Sequence, residues 1–462
     1  MITRLKWNNH EILGNLELNF TKNDGAPYST IILAGENGTG KTTILETLST
    51  FLNLDSIEPF EFIEYRIANE LYKIVPLSEE NKQFGFHKRI CETNGLEKDI
   101  TSNRYNNMSA INEDNLDIRH YGCCYSKARS GFTTDKVKSV TTSQLDSNKY
   151  ENDTNENFTS IKQLIVDIDT QDNSEWMEIS KSNSERTIDE FLQTAKLSRF
   201  KKAFNDFFDN LSFSKIDNSS VEEKRILFEK YGHEISVDSL STGEKQIVFR
   251  GAHLLKNSNS IHGGAALIDE PELSMHPLWQ KKILSYYRNL FVSGTEQMTQ
   301  VIIATHSEYV LSSALEDSEN VLVIVLNQSP SGILQKRIIS PSVLPTITAA
   351  EINYLAFNIA STDYHIELYG TLQRKLGDKN VADTDEYIKN HRLYDPAVHC
   401  KPSSFQLRNG HITTYETLST YIRNAIDHPD PVNRSYTSSE LKTSIELLIG
   451  ICQSIFNDRQ EN

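Results

Sequence analysis

The Gly-rich segment Gly35–Thr42, which reads GENGTGKT, restricts this chain to very few folds. An apolar run at 30–34 precedes it, and apolar residues at helical spacing follow it at 41–53. A strand, a loop and a helix are therefore predicted in that order. The glycines of such a loop let backbone N–H groups surround a phosphate, and the positive end of the helix favours negative charge there. The pattern predicts an α/β fold that holds a nucleotide.

The residues of this loop predict how ATP and Mg²⁺ are held. Lys41 is expected to reach the β- and γ-phosphates, and the Thr42 hydroxyl is expected to bind the magnesium ion. The predicted ATP-binding residues share the loop and the first turn of the helix; they are Gly35, Asn37, Gly38, Thr39, Gly40, Lys41, Thr42 and Thr43.

A second segment, LIDEP at 267–271, places two carboxylates at the end of a buried strand. Asp269 can join Thr42 in the magnesium shell, and Glu270 can orient and partly deprotonate the attacking water. An Asp-Glu pair at a strand end is common and usually solvated. The assignment therefore depends on the position of this pair after the phosphate loop.

The segment LSTGE at 240–244 distinguishes this chain from other nucleotide-binding proteins. An exposed Ser and a Gly at a helix N-terminus can donate hydrogen bonds to a phosphate, and one ATP does not need two such loops. Ser241 with Glu244 is also an ordinary capping box. The segment resembles the signature of ABC-type ATPases. The resemblance implies that Ser241 and Gly243, with Glu244 in the same motif, act on the γ-phosphate bound by a second subunit.

The same resemblance gives a role to His306, which follows an apolar strand. It matches the switch histidine of ABC-type ATPases, so it is expected to contact the γ-phosphate and to act with Glu270 in catalysis. A lone histidine at a strand end is usually structural, and only the three preceding motifs favour a function here. The glutamine loop that the resemblance implies is not identifiable, because Gln83, Gln144 and Gln163 lack decisive context.

Three apolar runs, at 265–268, 300–304 and 321–326, predict strands buried on both faces, as in a parallel sheet covered by helices. A helix is predicted at 187–211 from the spacing of its apolar residues. The predicted fold class is α/β: an ABC-type ATPase head with a mixed, largely parallel sheet flanked by helices, plus a small helical domain.

Two domains are predicted. Residues 1–345 are expected to form the ATPase head, with a variable insertion at about 55–225. Beyond residue 345 the pattern becomes helical. Residues 346–462 are therefore expected to form a small helical domain that binds a partner or supports oligomerisation.

The composition argues against several function classes. The net charge of -16 argues against a surface that covers nucleic acid, because non-specific affinity comes mainly from Lys and Arg. The five cysteines lack CxxC spacing, so neither a disulfide framework nor a zinc site is predicted. No signal-length apolar segment follows Met1, and no run of eighteen apolar residues occurs. The chain is expected to be cytoplasmic, with no membrane partner.

Three further segments carry a narrower resemblance: ITRLKW at 2–7, LELNF at 16–20 and DEPELSMHP at 269–277. They resemble ABC-like ATPases of phage defence, and the overall pattern resembles the PtuA-like ATPases of Septu systems. The resemblance implies a homodimer or higher homo-oligomer joined through ATP, which holds and regulates a separate HNH nuclease and meets nucleic acid through that complex. It also implies that 272–277 face the dimer, with His276 near the interface rather than at a metal.

Two alternatives stay open. Arg423 and His428 have the Arg-x4-His spacing of HEPN ribonucleases, which use both side chains at a dimer interface to activate and protonate ribose and phosphate oxygens. A helix ends there, however, and a histidine in a last helical turn is favourable without any catalysis. The other alternative is an SMC-like DNA-repair ATPase that grips duplex DNA, for which a basic channel and DNA-stimulated hydrolysis would be the signs.

Overall fold

The computed structural model describes residues 1–151, 157–182, 186–220, 222–293, 296–330, 332–338, 343–406, 412–428 and 435–460. The chain divides into two compact units, Met1–Arg337 and Ile338–Asn462. This division falls somewhat before residue 345, where the sequence pattern placed the domain boundary. Of the helices in the described ranges, none combines the length and apolarity that a bilayer crossing requires.

The strands up to residue 338, numbered in chain order, are β1 (Ile2–Trp7), β2 (Glu17–Asn19), β3 (Thr30–Gly35), β4 (Phe60–Ile67), β5 (Glu70–Pro76), β6 (His87–Cys91), β7 (Glu97–Ile100), β8 (Cys123–Ser126), β9 (Tyr150–Glu151), β10 (Leu211–Asp217), β11 (Arg225–Lys230), β12 (His233–Ser236), β13 (Ala265–Asp269), β14 (Val292–Ser293), β15 (Glu296–Gln297), β16 (Gln300–Ala304), β17 (Val321–Ser329) and β18 (Gly332–Ile338).

The helices of the same unit are α1 (Lys41–Leu52), α2 (Met108–Glu113), α3 (Thr159–Lys181), α4 (Ile188–Thr194), α5 (Ser198–Phe207), α6 (Thr242–Lys245), α7 (Gly251–Leu255), α8 (Pro277–Asn289) and α9 (Glu308–Glu316). A π-helical segment, Gln246–Arg250, joins α6 to α7 without a break. Short 3-10 turns occupy Lys82–Phe84, Ile118–Tyr121 and Val237–Ser239.

A seven-stranded sheet in the order β18-β17-β3-β16-β13-β8-β9 forms the centre of the first unit. The pairs from β17 to β9 are parallel. β3, β13 and β16 are buried along their whole length, which explains their continuous apolar sequences. The predicted α/β class with a largely parallel sheet is confirmed. Parallel strands end at one edge, so Gly35, Asp269, Ala304 and Ser126 all lie at the edge where such sheets bind ligands.

A second, antiparallel sheet in the order β2-β1-β4-β5-β6-β7 shares one hydrophobic core with the central sheet. Helix α1 contributes Ile44, Leu48 and Phe51 to this core, together with residues of both sheets such as Trp7 and Leu33. The range 55–225, expected as an insertion, supplies β4 to β7 here and β8 to the central sheet. It is built into the head.

The helix predicted at 187–211 is two helices, α4 and α5, and β10 begins at Leu211. The chain leaves helical geometry at Ala195, where ψ is 146°. The carboxylate of Asp172 on α3 accepts hydrogen bonds from the N–H groups of Lys196 (3.1 Å) and Leu197 (2.8 Å). In a continuous helix these N–H groups would donate to backbone carbonyls one turn earlier. Here they donate to a side chain that is distant in sequence, and the spacing of apolar residues cannot reveal such a contact.

The second unit is mostly helical. Its helices are α10 (Ala349–Phe357), α11 (Thr362–Lys375), α12 (Val381–Lys389), α13 (Pro396–His399), α14 (Leu418–Asp427) and α15 (Ser438–Gln460). It also contains an antiparallel hairpin that the sequence pattern did not predict, formed by β19 (Cys400–Gln406) and β20 (Ile412–Thr417). Asp385 of α12 anchors it, because its carboxylate accepts hydrogen bonds from the N–H groups of Glu416 (2.9 Å) and Thr417 (3.1 Å).

The core of the second unit contains a buried polar chain. Ser444 donates a hydrogen bond to Ser419 (2.7 Å), so its oxygen accepts one from Nε2 of the buried His365 (2.9 Å). Burial lowers the pKa of His365 to about 3. The unfolded chain therefore binds a proton at His365 more readily than the folded protein does. As the pH falls below 6.5, protonation of the unfolded chain lowers the stability of the folded protein.

We expect the free energy of unfolding of the second unit to fall by about 0.8 kcal/mol from this one group between pH 7.5 and pH 6.0. Hydrogen exchange of the α11 and α15 amides in urea, at both pH values, measures it. In His365→Gln the amide can still bond Ser444 but does not titrate, so the pH effect should shrink by this amount. Equal pH effects in the two proteins would contradict the assignment.

Candidate functional site

Close backbone packing shapes the loop between β3 and α1. Gly35 has a φ of 138°, and a Cβ atom there would lie 2.2 Å from the carbonyl oxygen of Leu326 on β17. Gly40 has a φ of 83°, and a Cβ there would meet the Leu13 side chain at 2.4 Å. Both positions therefore require glycine for conformation and for space. The loop turns tightly at the end of β3 and leads directly into α1.

Lys41 is held by the loop that it follows. Its Nζ donates hydrogen bonds to the carbonyl oxygens of Gly35 (2.9 Å) and Glu36 (2.8 Å). Burial lowers the pKa of Lys41 to about 8, against the opposing attraction of Glu270 and Asp269. The side chain is therefore still cationic at neutral pH, and its charge lies in a poorly solvated place where an anion is attracted strongly.

Thr42 and Asp269 meet at the start of α1. The Thr42 hydroxyl donates a hydrogen bond of 2.9 Å to Oδ2 of Asp269, while the buried Oδ1 has no hydrogen-bond partner among the described residues. Burial raises the pKa of Asp269 to about 6, although the Thr42 hydrogen bond opposes this. A hydroxyl and a carboxylate with one unsatisfied oxygen are ligands that Mg²⁺ prefers. These two residues fit a magnesium ion.

Glu270 and His306 form a pair at the neighbouring strand ends. Oε1 of Glu270 lies 3.3 Å from Nε2 of His306, and the side chains are 28% and 30% exposed. Burial and the Lys41 charge lower the pKa of His306, against the pull of Glu270 and of the Gly35 carbonyl. Burial and the Lys41 charge thus favour the neutral form of the imidazole. The pair is open enough to meet a ligand and can exchange a proton.

Glu272 connects the segments that carry these two side chains. It is buried, and its Oε1 accepts hydrogen bonds from the Thr305 hydroxyl (2.7 Å) and from the N–H of His306 (2.8 Å). The N–H of Glu270 in turn donates to the carbonyl of Ala304 (2.8 Å). The turn after β13 and the turn after β16 are thereby fixed to each other, and so are the positions of Glu270 and His306.

The signature turn lies at the start of α6. Ser241 and Glu244 form a full capping box, and Oε1 of Glu244 also binds Nζ of Lys230 at 2.6 Å. A Cβ atom on Gly243 would lie 2.8 Å from the carbonyl oxygen of Ser274. The capping-box interpretation is thus realised. Glycine also lets this turn pack closely against the loop that follows Glu270.

Three other predicted residues lie on helices α14 and α8 or at their ends. Arg423, in the second unit, forms an ion pair with Asp427 at 2.7 Å, and His428 follows the end of α14. His276 caps α8, where its Nδ1 accepts a hydrogen bond from the N–H of Leu278 (3.2 Å). The described residues contain no group of three or more His, Cys, Asp or Glu that could hold a metal.

The glutamine candidates also have other partners. Gln83 donates to the carbonyl of Glu80, and Gln163 donates to the carbonyl of Ser139. Strand β8, which ends at the same sheet edge as Asp269, carries Ser126 there.

The sequence analysis missed two features of the site: Arg250, and the contacts by which Glu272 bridges two turns. Arg250 had a detectable signal: it is a charged residue within the apolar run at 247–255, and a charge in such a run is usually buried and paired. Glu272 had none, because its importance depends on contact with 305–306, more than thirty positions away.

A phosphate loop at the carboxyl edge of a parallel sheet, with a carboxylate beside its Thr, defines the class of P-loop ATPases. Across residues 31–312 the chain matches the family described as "AAA domain, putative AbiEii toxin, Type IV TA system". This range is more than half of the 462 residues, and the chain belongs to this family.

Individual relatives narrow the comparison. The chain is similar to the Septu protein PtuA of Bacillus thuringiensis, with 24% identity over 316 residues that cover 65% of this chain and 70% of PtuA. It is 34% identical over 104 residues to the Retron Vc95 probable ATPase of Vibrio cholerae serotype O1 biovar El Tor, covering 21% and 19% of the two chains. It is 28% identical over 191 residues to the Retron Ec83 probable ATPase of Escherichia coli, covering 39% and 32%. The resemblance to PtuA-like ATPases is confirmed, whereas the chain spans less than two thirds of both retron ATPases.

Two solved structures align with much of the chain. The SMC head domain from Thermotoga maritima matches at 12% identity and a TM-score of 0.36, and the SmcHead bound to the C-winged helix domain of ScpA matches at 13% and 0.39. Each covers 73% of this chain and 98% of the other. The strand order of the central sheet by itself defines the fold.

Asp269→Asn should stabilise the ligand-free protein. Burial raises the pKa of the Asp269 carboxyl, so the folded protein binds its proton more tightly than the unfolded chain does. The protein therefore loses stability as the pH rises from about 4 to 6, and at pH 8 the native state carries the full cost of the buried charge. Asparagine keeps an acceptor for Thr42 without that charge. We expect a gain of about 1–3 kcal/mol by urea unfolding at pH 8 with chelator present. The control Asp209→Asn, at an exposed ion pair, should change stability by less than about 0.5 kcal/mol. A destabilised Asp269→Asn would contradict this account.

Proposed function

We propose that this chain is the ATP-hydrolysing subunit of a prokaryotic antiviral defence complex, in which it binds and regulates a separate HNH nuclease. The observation that carries the ATPase part is the meeting of Lys41, Thr42, Asp269, Glu270 and His306 at one sheet edge. Cation, metal ligands and a carboxylate–imidazole pair are the groups that phosphoryl transfer to water needs.

ATP binding would engage the loop and Lys41 first. The loop N–H groups and the start of α1 receive the phosphates, and Lys41 exchanges its carbonyl partners for phosphate oxygens, which are stronger acceptors. Thr42 and Asp269 hold Mg²⁺. When bound, this ion would supply positive charge that offsets the negative charge of the phosphates.

Glu270 and His306 then act on the terminal phosphate. The Glu270 carboxylate orients the attacking water and accepts its proton. The neutral imidazole of His306, 3.3 Å away, donates a hydrogen bond to a γ-phosphate oxygen. Lys41 stabilises the charge that spreads over the phosphate oxygens. Because Glu272 fixes both turns, the water and the phosphate sensor keep a constant relative position.

The active form is a dimer or higher homo-oligomer with ATP between subunits. The helical segment that begins at Ser241 presents N–H groups at its first turn, where an anion is favoured. Ser241 and Gly243 reach the γ-phosphate held by the second subunit, with Glu244 fixing the turn. The second unit of the chain contacts the nuclease, and nucleic acid is bound through the complex.

The defence role rests on the relatives. The likeness to Septu protein PtuA covers most of both chains, and both retron relatives are named as ATPases. Slow turnover would suit such a switch, because the ATP-bound state would then persist.

Glu270→Gln should lower the rate of ATP hydrolysis by about 100-fold or more, because the amide cannot accept the proton of the water. ATP affinity should change little, and the ATP-bound dimer should accumulate in size-exclusion chromatography. Glu46→Gln is the matched control: it neutralises a nearby carboxylate that takes no part in the reaction. Normal turnover in Glu270→Gln would show that another group activates the water.

Co-expression with the neighbouring genes tests the complex. A tagged chain should retain an HNH nuclease, and DNA or RNA cleavage by the eluate should differ with and without ATP. In Glu270→Gln the cleavage activity of the complex should stay at the level of the ATP-bound state. Failure to retain a nuclease would overturn the partner proposal. RNA cleavage by the chain alone that is lost in His428→Ala would favour the HEPN ribonuclease, and DNA-stimulated hydrolysis without a nuclease would favour the SMC-like clamp.

A further inference from the structure

Arg250 is a fully buried guanidinium that the reaction described above does not use. Its Nη2 donates hydrogen bonds to the carbonyls of Asp269 (2.7 Å) and Ser126 (3.0 Å), and its Nη1 donates to the carbonyl of Glu270 (3.1 Å). Its Nε donates to the Ser126 hydroxyl at 2.9 Å. One side chain thus joins the ends of β13 and β8 beneath the candidate site.

The backbone of Glu270 needs such support. Its φ is 43°, a left-handed conformation that side-chain-bearing residues rarely adopt and that persists only where the surroundings hold it. The N–H of Glu270 is held by the Ala304 carbonyl at 2.8 Å, and its C=O is held by Arg250. These two hydrogen bonds fix the peptide groups on both sides of the Cα atom. They therefore set the direction in which the carboxylate leaves the backbone.

Arg250 reaches this turn from the signature helix. It ends the π-helical segment within a continuous helix that begins after Ser241, roughly 13 Å away along the helix axis. Single π-helical turns inside α-helices are frequent at functional sites. A Cβ on Gly251 would lie 2.0 Å from the Tyr286 hydroxyl, which donates to the carbonyl of Ile247 at 3.1 Å. The segment is packed too closely against α8 to bend independently.

We propose that Arg250 is a positioning residue that ties the Glu270 carboxylate to the signature helix. Engagement of Ser241 and Gly243 by the nucleotide of a second subunit is thereby transmitted to the water-activating group of this subunit's own site. The inference rests on the proposed ATPase function and extends it, because it connects the two composite sites of one dimer through a single side chain.

Arginine suits this task better than lysine. The planar guanidinium presents several N–H donors in a fixed fork, and here it satisfies four acceptor contacts in different directions. A lysine ammonium keeps the charge but cannot reach all of these oxygens from one nitrogen. Arg250→Lys therefore keeps the positive charge but cannot keep the full set of four hydrogen bonds.

The test compares Arg250→Lys with Arg119→Lys. Arg119 is also fully buried and also hydrogen-bonded, to Asp117 and to the Gly85 carbonyl, but it touches none of the site residues named above. We expect kcat to fall about 10- to 100-fold in Arg250→Lys, while the Kd for a fluorescent ATP analogue stays within about threefold. Arg119→Lys should keep kcat within about threefold of the wild type. If Arg250→Lys does not fold, Ser126→Ala removes one acceptor and should lower kcat in the same direction.

A double-mutant cycle tests the link to the signature. If Arg250 transmits the engagement of Ser241, then Ser241→Ala should lower kcat much less in the Arg250→Lys background than in the wild type. If the fold-decrease in kcat of the double variant equals the product of the two single decreases, the two residues act independently and the coupling is overturned. A near-normal kcat in Arg250→Lys, or an equal loss in Arg119→Lys, would overturn the positioning role.

Wild-type activity separates this inference from the proposed function. A wild-type chain that does not hydrolyse ATP refutes the ATPase proposal, and the role of Arg250 falls with it. A wild-type chain that hydrolyses ATP and loses this activity in Glu270→Gln, but not in Arg250→Lys, refutes the inference about Arg250 alone.

Discussion

The attraction between Lys41 and three carboxylates, Asp269, Glu270 and Glu272, governs the edge of the central sheet. Lys41, Asp269 and Glu272 are buried, so each of these charges acts on its neighbours more strongly than it would at the surface. The carboxylates oppose the loss of the Lys41 proton, so the residue that follows the loop stays a cation. Without this mutual support the edge could not keep charges of both signs ready for a ligand.

A set of backbone hydrogen bonds aligns these charges. Glu272 holds the turn that carries His306, and Arg250 holds the turn that carries Glu270. Neither residue needs to touch a ligand to matter. The geometry of the site therefore depends on buried polar groups whose hydrogen bonds to the backbone hold this edge in place.

The sequence predicted the parts of the site that depend on local chemistry. The loop around Lys41, the carboxylates at 269–270 and the strand before His306 each have a pattern readable within a dozen residues, and the structure brings them together. Long-range contacts were not readable. Asp172 interrupts the helix expected at 187–211, and Asp385 anchors the hairpin of the second unit, because each binds N–H groups far away in the chain.

The strand order has a consequence for synthesis of the chain. β3 carries the phosphate loop, yet both of its neighbours, β16 and β17, are made more than 260 residues later. The N–H of Ile2 likewise donates a hydrogen bond to the side chain of Gln300, which is synthesised almost 300 residues later. At about 5–20 residues per second, the ribosome needs roughly 15–60 s after β3 before this sheet can close. During that interval the loop is present but has no fixed partner strands, so the nascent chain cannot form its nucleotide site until the first unit is almost completely translated.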